Sequence, residues 1–295
     1  MSSGADWTGY AACVTDTKHL LQQWLQPDWP AIPGVQALFT TRQGGVSAPP
    51  WDTMNLGDHV GDAPQAVAAN RQLLGRVIQD AADRWVQPVF MQQVHGCGVQ
   101  VLEEGVPQAQ AFDACVTDQV GMVCTIMVAD CLPVLMAHRS GRVVAAAHAG
   151  WRGLAGQERQ EGHGVLEALW LAYARQLGLP ADAALAAQTQ VWLGPCIGPQ
   201  AFEVGEDVRA AFTGRDAGAD PCFQARAGAP GKWMADLSGL ARRRLAQVGL
   251  TQLYGNDGTP AWCTFSDASR FFSHRRDAGV LGSTGRMAAC IWKTD

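Results

Sequence analysis

Three residues of the types that bind metals lie at the ends of apolar, strand-like runs. Cys131 and His148 lie in two such runs joined by a polar turn, a pattern that predicts a β-hairpin. If Ser140-Gly141 is the two-residue loop, His148 lies opposite Pro133 and Cys131 is its diagonal neighbour. If Arg139-Ser140 is the loop, Cys131 lies directly opposite His148. Both registers place the thiol and the imidazole on one face of the hairpin.

Two kinds of chemistry use such a pair: a nucleophile with its base, or a metal site. A catalytic metal takes about three protein ligands and leaves one position open. His95 offers a third ligand, because it ends another apolar run and is followed by Gly96. Taken singly, a cysteine in an apolar strand is more often a small core residue, and a histidine is often only hydrogen-bonded. The residues themselves therefore leave both interpretations open.

The surrounding pattern predicts a layered α/β (α+β) domain with mixed β-sheets flanked by helices. Short apolar runs bounded by turn residues predict strands at 36–41, 86–94, 98–102, 121–128, 133–138, 142–147 and 190–193. Cap and spacing signals predict helices at 64–79, 165–176 and 235–248 and a short one after Gly205. We expect residues 1–35 to be an irregular segment and residues 36–295 to form one catalytic domain.

Composition excludes several classes of partner. The 295 residues are 47% hydrophobic and 17% charged, enough for a sizeable core. With 22 Lys and Arg against 27 Asp and Glu and no basic run, nucleic acid is not an expected partner. No export signal or long apolar run is present, and the nine cysteines form no CxxC pair. We expect a cytoplasmic monomer with reduced thiols and no membrane partner.

Seven blocks of sequence occur together in an order that resembles one family. They cover residues 40–47, 54–62, 93–96, 129–134, 148–153, 194–199 and 271–277. In this order they resemble the YfiH-type family, whose members carry the labels polyphenol oxidase, laccase-domain protein, purine nucleoside phosphorylase and peptidoglycan editing factor. The resemblance extends over about residues 38–292 and is far more specific than a single short motif.

The resemblance implies a zinc site on two histidines and one cysteine, which correspond to His95, Cys131 and His148 here. It also implies phosphorolysis of the purine nucleosides adenosine, inosine and methylthioadenosine, together with deamination of adenosine. The implied fold is a compact α/β layered domain with mixed sheets, related to that of a cysteine-dependent toxin deamidase.

Catalytic and substrate-binding roles follow from this expectation. Bound Zn²⁺ would activate a water for deamination, with Asp130 moving protons beside Cys131 and His148. Asp130 could equally cap the turn before the hairpin. For the nucleoside and the phosphate, Arg42, Asn55 and Arg275 are the predicted binding residues, because they lie in matching blocks and carry suitable donors.

Two alternative functions remain. One is an amidase that edits peptidoglycan precursors, either metal-dependent or with Cys131 as nucleophile and His148 as base. The other is a laccase-like oxidation of polyphenols by a copper-loaded site as a side activity, since seven histidines with no His-x-His pair do not suffice for a multicopper cluster. The sequence departs from the family pattern at an insert, 157–163, and in the longer segment 277–286.

Overall fold

The computed structural model describes residues 17–156 and 163–295. Its helices are α1 (Thr17–Gln23), α2 (Pro64–Ala82), α3 (Trp151–Ala155), α4 (Val165–Leu177), α5 (Ala183–Ala186), α6 (Glu206–Thr213), α7 (Leu237–Gln247) and α8 (His274–Leu281). Its strands are β1 (Val35–Phe39), β2 (Gln87–Phe90), β3 (Val99–Val101), β4 (Ala114–Thr117), β5 (Met122–Val128), β6 (Leu132–His138), β7 (Val144–Ala149), β8 (Thr189–Leu193), β9 (Glu203–Gly205), β10 (Phe223–Ala225), β11 (Lys232–Ala235), β12 (Leu253–Gly255) and β13 (Met287–Lys293).

The strands form two mixed sheets and one small antiparallel sheet. The four-stranded sheet has the order β1-β13-β5-β2, and only its β2–β5 pair is parallel. The six-stranded sheet has the order β12-β8-β6-β7-β4-β3, with a parallel pair at each edge. Strands β10, β11 and β9 form the third sheet. The predicted α/β architecture with mixed sheets is confirmed.

The two larger sheets pack face to face between two layers of helices. Successive side chains of a strand point to opposite faces of its sheet. On β5, Ile126 packs in the core between the sheets, whereas Val123 packs with α2 residues such as Leu74. On β6, Val134 faces the other way and packs with residues of α4 and α7. Burial on both faces explains why these strands are almost continuously apolar.

Local signals predicted the main elements well. Helix α2 begins at Pro64 and ends at Ala82, because the left-handed backbone of the next residue, Asp83, terminates it. Val67, Leu74 and Val77 are buried as their spacing predicts. Helix α4 ends where Gly178 adopts a positive φ.

Some elements were not predicted from sequence. Helix α1 lies within the segment 1–35, which was expected to be irregular. Strand β4 has only four residues and is stabilised by pairing with β3 and β7, which are distant in sequence. Helix α8 lacks an apolar stripe and begins where the Ser273 side chain accepts a hydrogen bond from the Arg276 N–H.

Residues 157–162 of the predicted insert lie outside the described residues. Among the helices of the described part of the chain, none has the length and apolarity needed to cross a membrane.

Candidate metal centre

The β6–β7 hairpin brings Cys131 and His148 together. Pro133 pairs with His148 in the antiparallel ladder, which confirms the first of the two predicted registers. The turn differs from the predicted two-residue loop, because the ladder ends at Ala137–Val144 and the Gly141 N–H donates to the His138 carbonyl oxygen. Cys131 immediately precedes β6 and is half-buried, whereas His148 lies within β7 and is buried. The two side chains are therefore diagonal neighbours at the open end of the hairpin.

His95 reaches the same point from the loop between β2 and β3. Its φ of 58° is in the left-handed region, which residues other than glycine rarely adopt. The buried carboxylate of Asp113 holds this conformation by accepting three backbone hydrogen bonds. The donors are the N–H groups of Val94 (3.2 Å), His95 (2.8 Å) and Gly96 (2.7 Å).

Asp113 also orients His148. The His148 Nδ1–H donates to Asp113 Oδ1 at 2.9 Å, and the His148 backbone N–H donates to the Asp113 carbonyl oxygen at 2.7 Å. This leaves Nε2 of His148 as the nitrogen that can bind a metal. A carboxylate behind the distal nitrogen of a histidine ligand is the usual arrangement at zinc sites.

The three side chains fit a single metal ion. Their potential ligand atoms all lie within 4.8 Å of one another. Among the described residues, they form the cluster of side chains that could hold a metal ion. Cys131 Sγ is 3.7 Å from His95 Nε2. Tetrahedral zinc with Zn–S and Zn–N distances of about 2.3 and 2.0 Å would separate two such ligand atoms by about 3.4–3.6 Å. Two imidazoles and a thiolate leave a fourth position for substrate or water.

The charges of the group also suit a metal. Burial opposes ionisation of the Cys131 thiol, but the charge of His148 and hydrogen bonds from His148 and His95 outweigh it and lower the thiol pKa to about 6. Burial likewise opposes protonation of His148, but the Cys131 thiolate and Asp113 raise its pKa to about 9. The sulfur is therefore anionic at neutral pH, which is the form that binds metals.

This ionisation predicts the reactivity of Cys131 in metal-free protein. The rate of alkylation of Cys131 by iodoacetamide should rise with pH around a midpoint of about 6, because only the thiolate attacks. One equivalent of Zn²⁺ should suppress the reaction throughout. Peptide mass spectrometry can follow alkylation of Cys131, with Cys222 as an internal comparison. Burial raises the pKa of the Cys222 thiol above its ordinary value of 9.0. A Cys131 midpoint at or above that ordinary value would contradict the prediction.

Gly150 provides the space in which the ligands meet. A Cβ atom at this position would lie 2.7 Å from His95 Cδ2 and 3.1 Å from Cys131 Sγ. The backbone of Gly150, with φ −67° and ψ 158°, is open to any residue. The absence of a side chain here is therefore required by the close approach of the ligands and not by the backbone.

We expect Gly150→Ala to lower metal affinity by about 10–100-fold, the range found when the surroundings of metal ligands are altered. The unfolding temperature of the metal-free protein should change little. The matched control is Gly75→Ala, since a Cβ at Gly75 in α2 would meet nothing within 4 Å. Competition with a chelating dye measures the affinity. Equal metal affinity in the two variants would show that Gly150 has no steric role.

A cavity of about 330 Å³ opens on the three side chains. This volume is at the small end of the range for small-molecule sites, about 300–1,000 Å³. Trp151, Ile197 and Phe202 give it an apolar wall. Its other lining residues include the basic or titratable side chains of His59, His274, Arg275 and Arg286.

The predicted substrate-binding residues do not all reach this cavity. Arg275 lines it, and its Nη1 donates to the Glu203 carbonyl oxygen. Of the described residues, those that line the cavity do not include Arg42 or Asn55. Arg42 instead donates to the carbonyl oxygen of Asp52 and forms an ion pair with the Asp52 carboxylate.

The Asn55 side chain is fully buried and bonded within its own region. Its Oδ1 accepts from the backbone N–H groups of Gly57 and Arg286, each at 2.9 Å. Its Nδ2 donates to the Gly57 carbonyl oxygen and to the Asp62 carboxylate. Asn55 therefore holds the backbone of Arg286, a residue that does line the cavity.

Asp130 borders the cavity with both carboxylate oxygens already hydrogen-bonded. Oδ1 accepts from Thr264 Oγ1 at 2.6 Å, and Oδ2 accepts from Ser273 Oγ at 3.0 Å and from the Arg275 N–H at 2.7 Å. These bonds cap the start of α8. Capping was the alternative role foreseen for Asp130, but the capped element is α8 and not the turn before the hairpin.

The sequence did not identify Asp113 or Arg286 as site residues, and it left His59 and His274 as candidates either for the surface or for the surroundings of the metal ligands. A signal existed for Asp113, the lone acid directly before the apolar run 114–116. Arg286 ends the Thr-Gly-Arg segment at the end of the departure 277–286, and His59 lies in the block 54–62. Their convergence on one cavity required the three-dimensional structure.

Comparison with known proteins identifies relatives over nearly the whole chain. The family model described as multi-copper polyphenol oxidoreductase laccase matches residues 36–294. A Pseudomonas aeruginosa protein named purine nucleoside phosphorylase is 46% identical over 275 residues, which cover 93% of this chain and 100% of that protein. The Escherichia coli purine nucleoside phosphorylase YfiH is 44% identical over 266 residues, covering 90% and 97% respectively.

Solved structures agree with these relationships. A crystal structure of a Neisseria meningitidis protein has a TM-score of 0.75 and 39% identity and covers 92% of this chain and 99% of that one. YlmD from Geobacillus stearothermophilus has a TM-score of 0.74 and 28% identity, with coverage of 92% and 96%. The chain therefore belongs to the YfiH-type family, whose family model is described as multi-copper polyphenol oxidoreductase laccase.

Proposed function

We propose that this protein is a cytoplasmic, zinc-dependent purine nucleoside phosphorylase that acts on adenosine, inosine and methylthioadenosine and also deaminates adenosine. The observation that carries the proposal is the convergence of His95, Cys131 and His148 on the floor of a small-molecule cavity. Relatives named purine nucleoside phosphorylase support an enzyme of this class. No disulfide joins the eight described cysteines, which supports a reducing compartment.

The donor set supports zinc over copper. Two imidazoles and one thiolate suit catalytic zinc, and a copper thiolate site usually adds an axial methionine. Met127 lines the cavity, but its sulfur is 3.9 Å from Arg71 Nη2 and is directed to that contact. The ligand set in the described residues is a single three-residue group, whereas a multicopper cluster needs many more histidines.

Different residues of the cavity have different proposed roles in binding and catalysis. A bound zinc ion supplies Lewis acidity and lowers the pKa of water. Asp113 fixes His148 with Nε2 toward the metal position. Trp151 and Phe202 offer an apolar wall against which a purine can stack, and Arg275 offers a cation to the substrate. In the proposed deamination, water adds to purine C6 and the C6–N bond breaks. Asp130, whose carboxylate borders the cavity, is the proposed group that takes the proton of the water and passes it to the amino group, which leaves as ammonia.

An incubation with a panel of nucleosides tests the proposal. Zinc-loaded protein should convert inosine and methylthioadenosine to free base and sugar phosphate only when phosphate is present. It should convert adenosine to inosine with or without phosphate. Mass spectrometry detects each product, and protein stripped of metal is the control. Absence of every product from the loaded protein would refute the proposal.

The ion pair of Cys131 and His148 favours a second candidate, an amidase acting on peptidoglycan precursors. A thiolate beside an imidazolium that is held by Asp113 is also the arrangement of a cysteine nucleophile with its base. Cleavage of a precursor amide that survives chelation of all metal would support the nucleophilic form of this candidate. Oxidation of phenols by protein loaded with copper would be a side activity of the same metal site.

A further inference from the structure

We propose that Arg286, together with His59, forms the subsite that binds the phosphate co-substrate. This inference rests on the proposed function and assigns one of its two substrates to named residues. Both side chains line the cavity that contains His95, Cys131 and His148.

The backbone of Arg286 is fixed from two directions. Its N–H donates to Asn55 Oδ1 at 2.9 Å, and its carbonyl oxygen accepts from the Leu56 N–H at 3.0 Å. A Cβ at Gly57 would lie 2.7 Å from Arg286 Cγ. The arginine side chain therefore passes directly over a glycine and is held in place before any ligand arrives. Preorganised donors of this kind bind an anion at lower entropic cost.

The guanidinium of Arg286 keeps donors available for a ligand. Its Nη1 donates to the carbonyl oxygens of Thr284 (3.0 Å) and Gly285 (3.2 Å). Within the described residues, no carboxylate forms an ion pair with Arg286, and its Nε and Nη2 donate no hydrogen bond. Arg276, by contrast, is paired with Asp277 and bonded to three carbonyl oxygens. Two donors of one guanidinium match two oxygens of a phosphate.

The electrostatic surroundings also favour an anion. Burial lowers the pKa of Arg286, against the opposing influence of Cys131 and Asp130, so its positive charge is only partly compensated. His59 lines the same cavity as Arg286, and its Nδ1 is 3.5 Å from Asp58 Oδ1, which leaves Nε2 for a ligand. Burial and then the charge of Arg286 lower the pKa of His59, against the opposing influence of Asp58. A partly buried cation without an ion pair is costly, and a bound anion relieves that cost.

Arg275 lies against the apolar wall of the cavity. Its guanidinium is 5.7 Å from the centre of the Phe202 ring, and its Nη1 donates to the Glu203 carbonyl oxygen. It is therefore associated with the apolar wall and is suited to the nucleoside. This division leaves Arg286 and His59 for the tetrahedral oxyanion.

The test measures phosphate binding without turnover. Zinc-loaded wild-type protein and the variants Arg286→Gln, Arg286→Lys and Arg76→Gln are titrated with inorganic phosphate by ³¹P NMR. Arg76 is an exposed residue of α2 and serves as the matched control. We expect Arg286→Gln to weaken phosphate binding about 10–100-fold, the loss of a charged hydrogen-bond donor pair. Arg286→Lys should recover part of the affinity, and Arg76→Gln should bind as the wild type does.

Kinetics and a second ligand complete the test. In phosphorolysis, Arg286→Gln should raise KM for phosphate much more than KM for inosine. A titration with a nucleoside 5′-monophosphate distinguishes free phosphate from a phosphate ester, because the proposal requires the ester to bind no better than inorganic phosphate. Unchanged phosphate affinity in Arg286→Gln, or dependence on Arg286 for the ester alone, would overturn the assignment. If phosphate binds through Arg286 but no nucleoside is cleaved, the proposed function fails and the anion subsite stands.

Discussion

Replacing Cys131 by serine is expected to release the bound metal and to lower nucleoside turnover by about 100-fold or more, since metal Lewis acidity is worth several kcal/mol. Serine keeps the shape of the side chain but is not ionised at neutral pH, whereas the pKa of the Cys131 thiol is about 6. Metal analysis of the purified variant and kcat for inosine measure the two effects. The control variant is Cys222→Ser. Cys222 is half-buried and is not one of the three potential metal ligands, so this variant should retain both metal and activity.

His95→Gln separates the metal site from a nucleophile–base pair. A cysteine nucleophile needs only Cys131, His148 and the supporting Asp113, so it would survive the loss of His95 in large part. A metal site loses one of its three ligands and should fail as it does in Cys131→Ser. Cleavage of a precursor amide by metal-free His95→Gln at a rate close to that of the wild type would support the nucleophilic amidase. Nucleoside turnover by metal-free His95→Gln close to that of the wild type would refute the zinc mechanism.

The hairpin shows what the sequence could predict. Alternating apolar runs and a polar turn were sufficient to place Cys131 and His148 on one face. One constraint on the turn comes from a segment that lies outside the hairpin. Gly141 has a φ of 70°, and a Cβ there would lie 2.3 Å from the Pro33 carbonyl oxygen. Only a glycine fits at this place in the turn, and the segment that requires it is about a hundred residues away in sequence.

Arginine roles show what the sequence could not predict. Arg42, Arg275 and Arg286 all occur in or beside family-like segments, and nothing in their local sequence separates them. The Arg42 side chain is occupied by Asp52 and by the Ala268 carbonyl oxygen, which is 226 positions away. Arg286 is placed by Asn55, which is 231 positions away. Whether an arginine serves the fold or a ligand depends on such long-range partners.

The role of Asp113 also depends on partners that lie elsewhere in the sequence. We expect Asp113→Asn to lower metal affinity about 10–100-fold, as loss of a carboxylate behind a histidine ligand does. We also expect it to destabilise the metal-free protein by about 3–5 kcal/mol, the usual cost of breaking a buried charged pair. One fully buried carboxylate accepts from three backbone N–H groups near His95 and from His148.

An amide cannot reproduce these contacts. Asparagine has a single acceptor oxygen, so its NH₂ group must face either the N–H groups of Val94 and Gly96 or the His148 Nδ1–H together with the His95 N–H. In the second case His148 can relieve the conflict by accepting at Nδ1 and carrying its proton on Nε2, which is the nitrogen needed by the metal. Asp118→Asn is the matched control, because Asp118 directly follows the same strand, β4, and among the described residues its side chain bonds only to Gln119.

The pH dependence of stability gives a further check on the role of Asp113. Burial raises the pKa of this carboxyl, but the hydrogen bond and charge of His148 outweigh burial, and the pKa lies below its ordinary value of 3.8. The stabilisation is therefore fully present above that value and is lost as the pH falls through the lowered pKa. Urea denaturation of metal-free protein should show a large difference between wild type and Asp113→Asn at pH 7 that narrows in acid. A difference that is independent of pH would mean that shape, and not the charge of Asp113, organises the site.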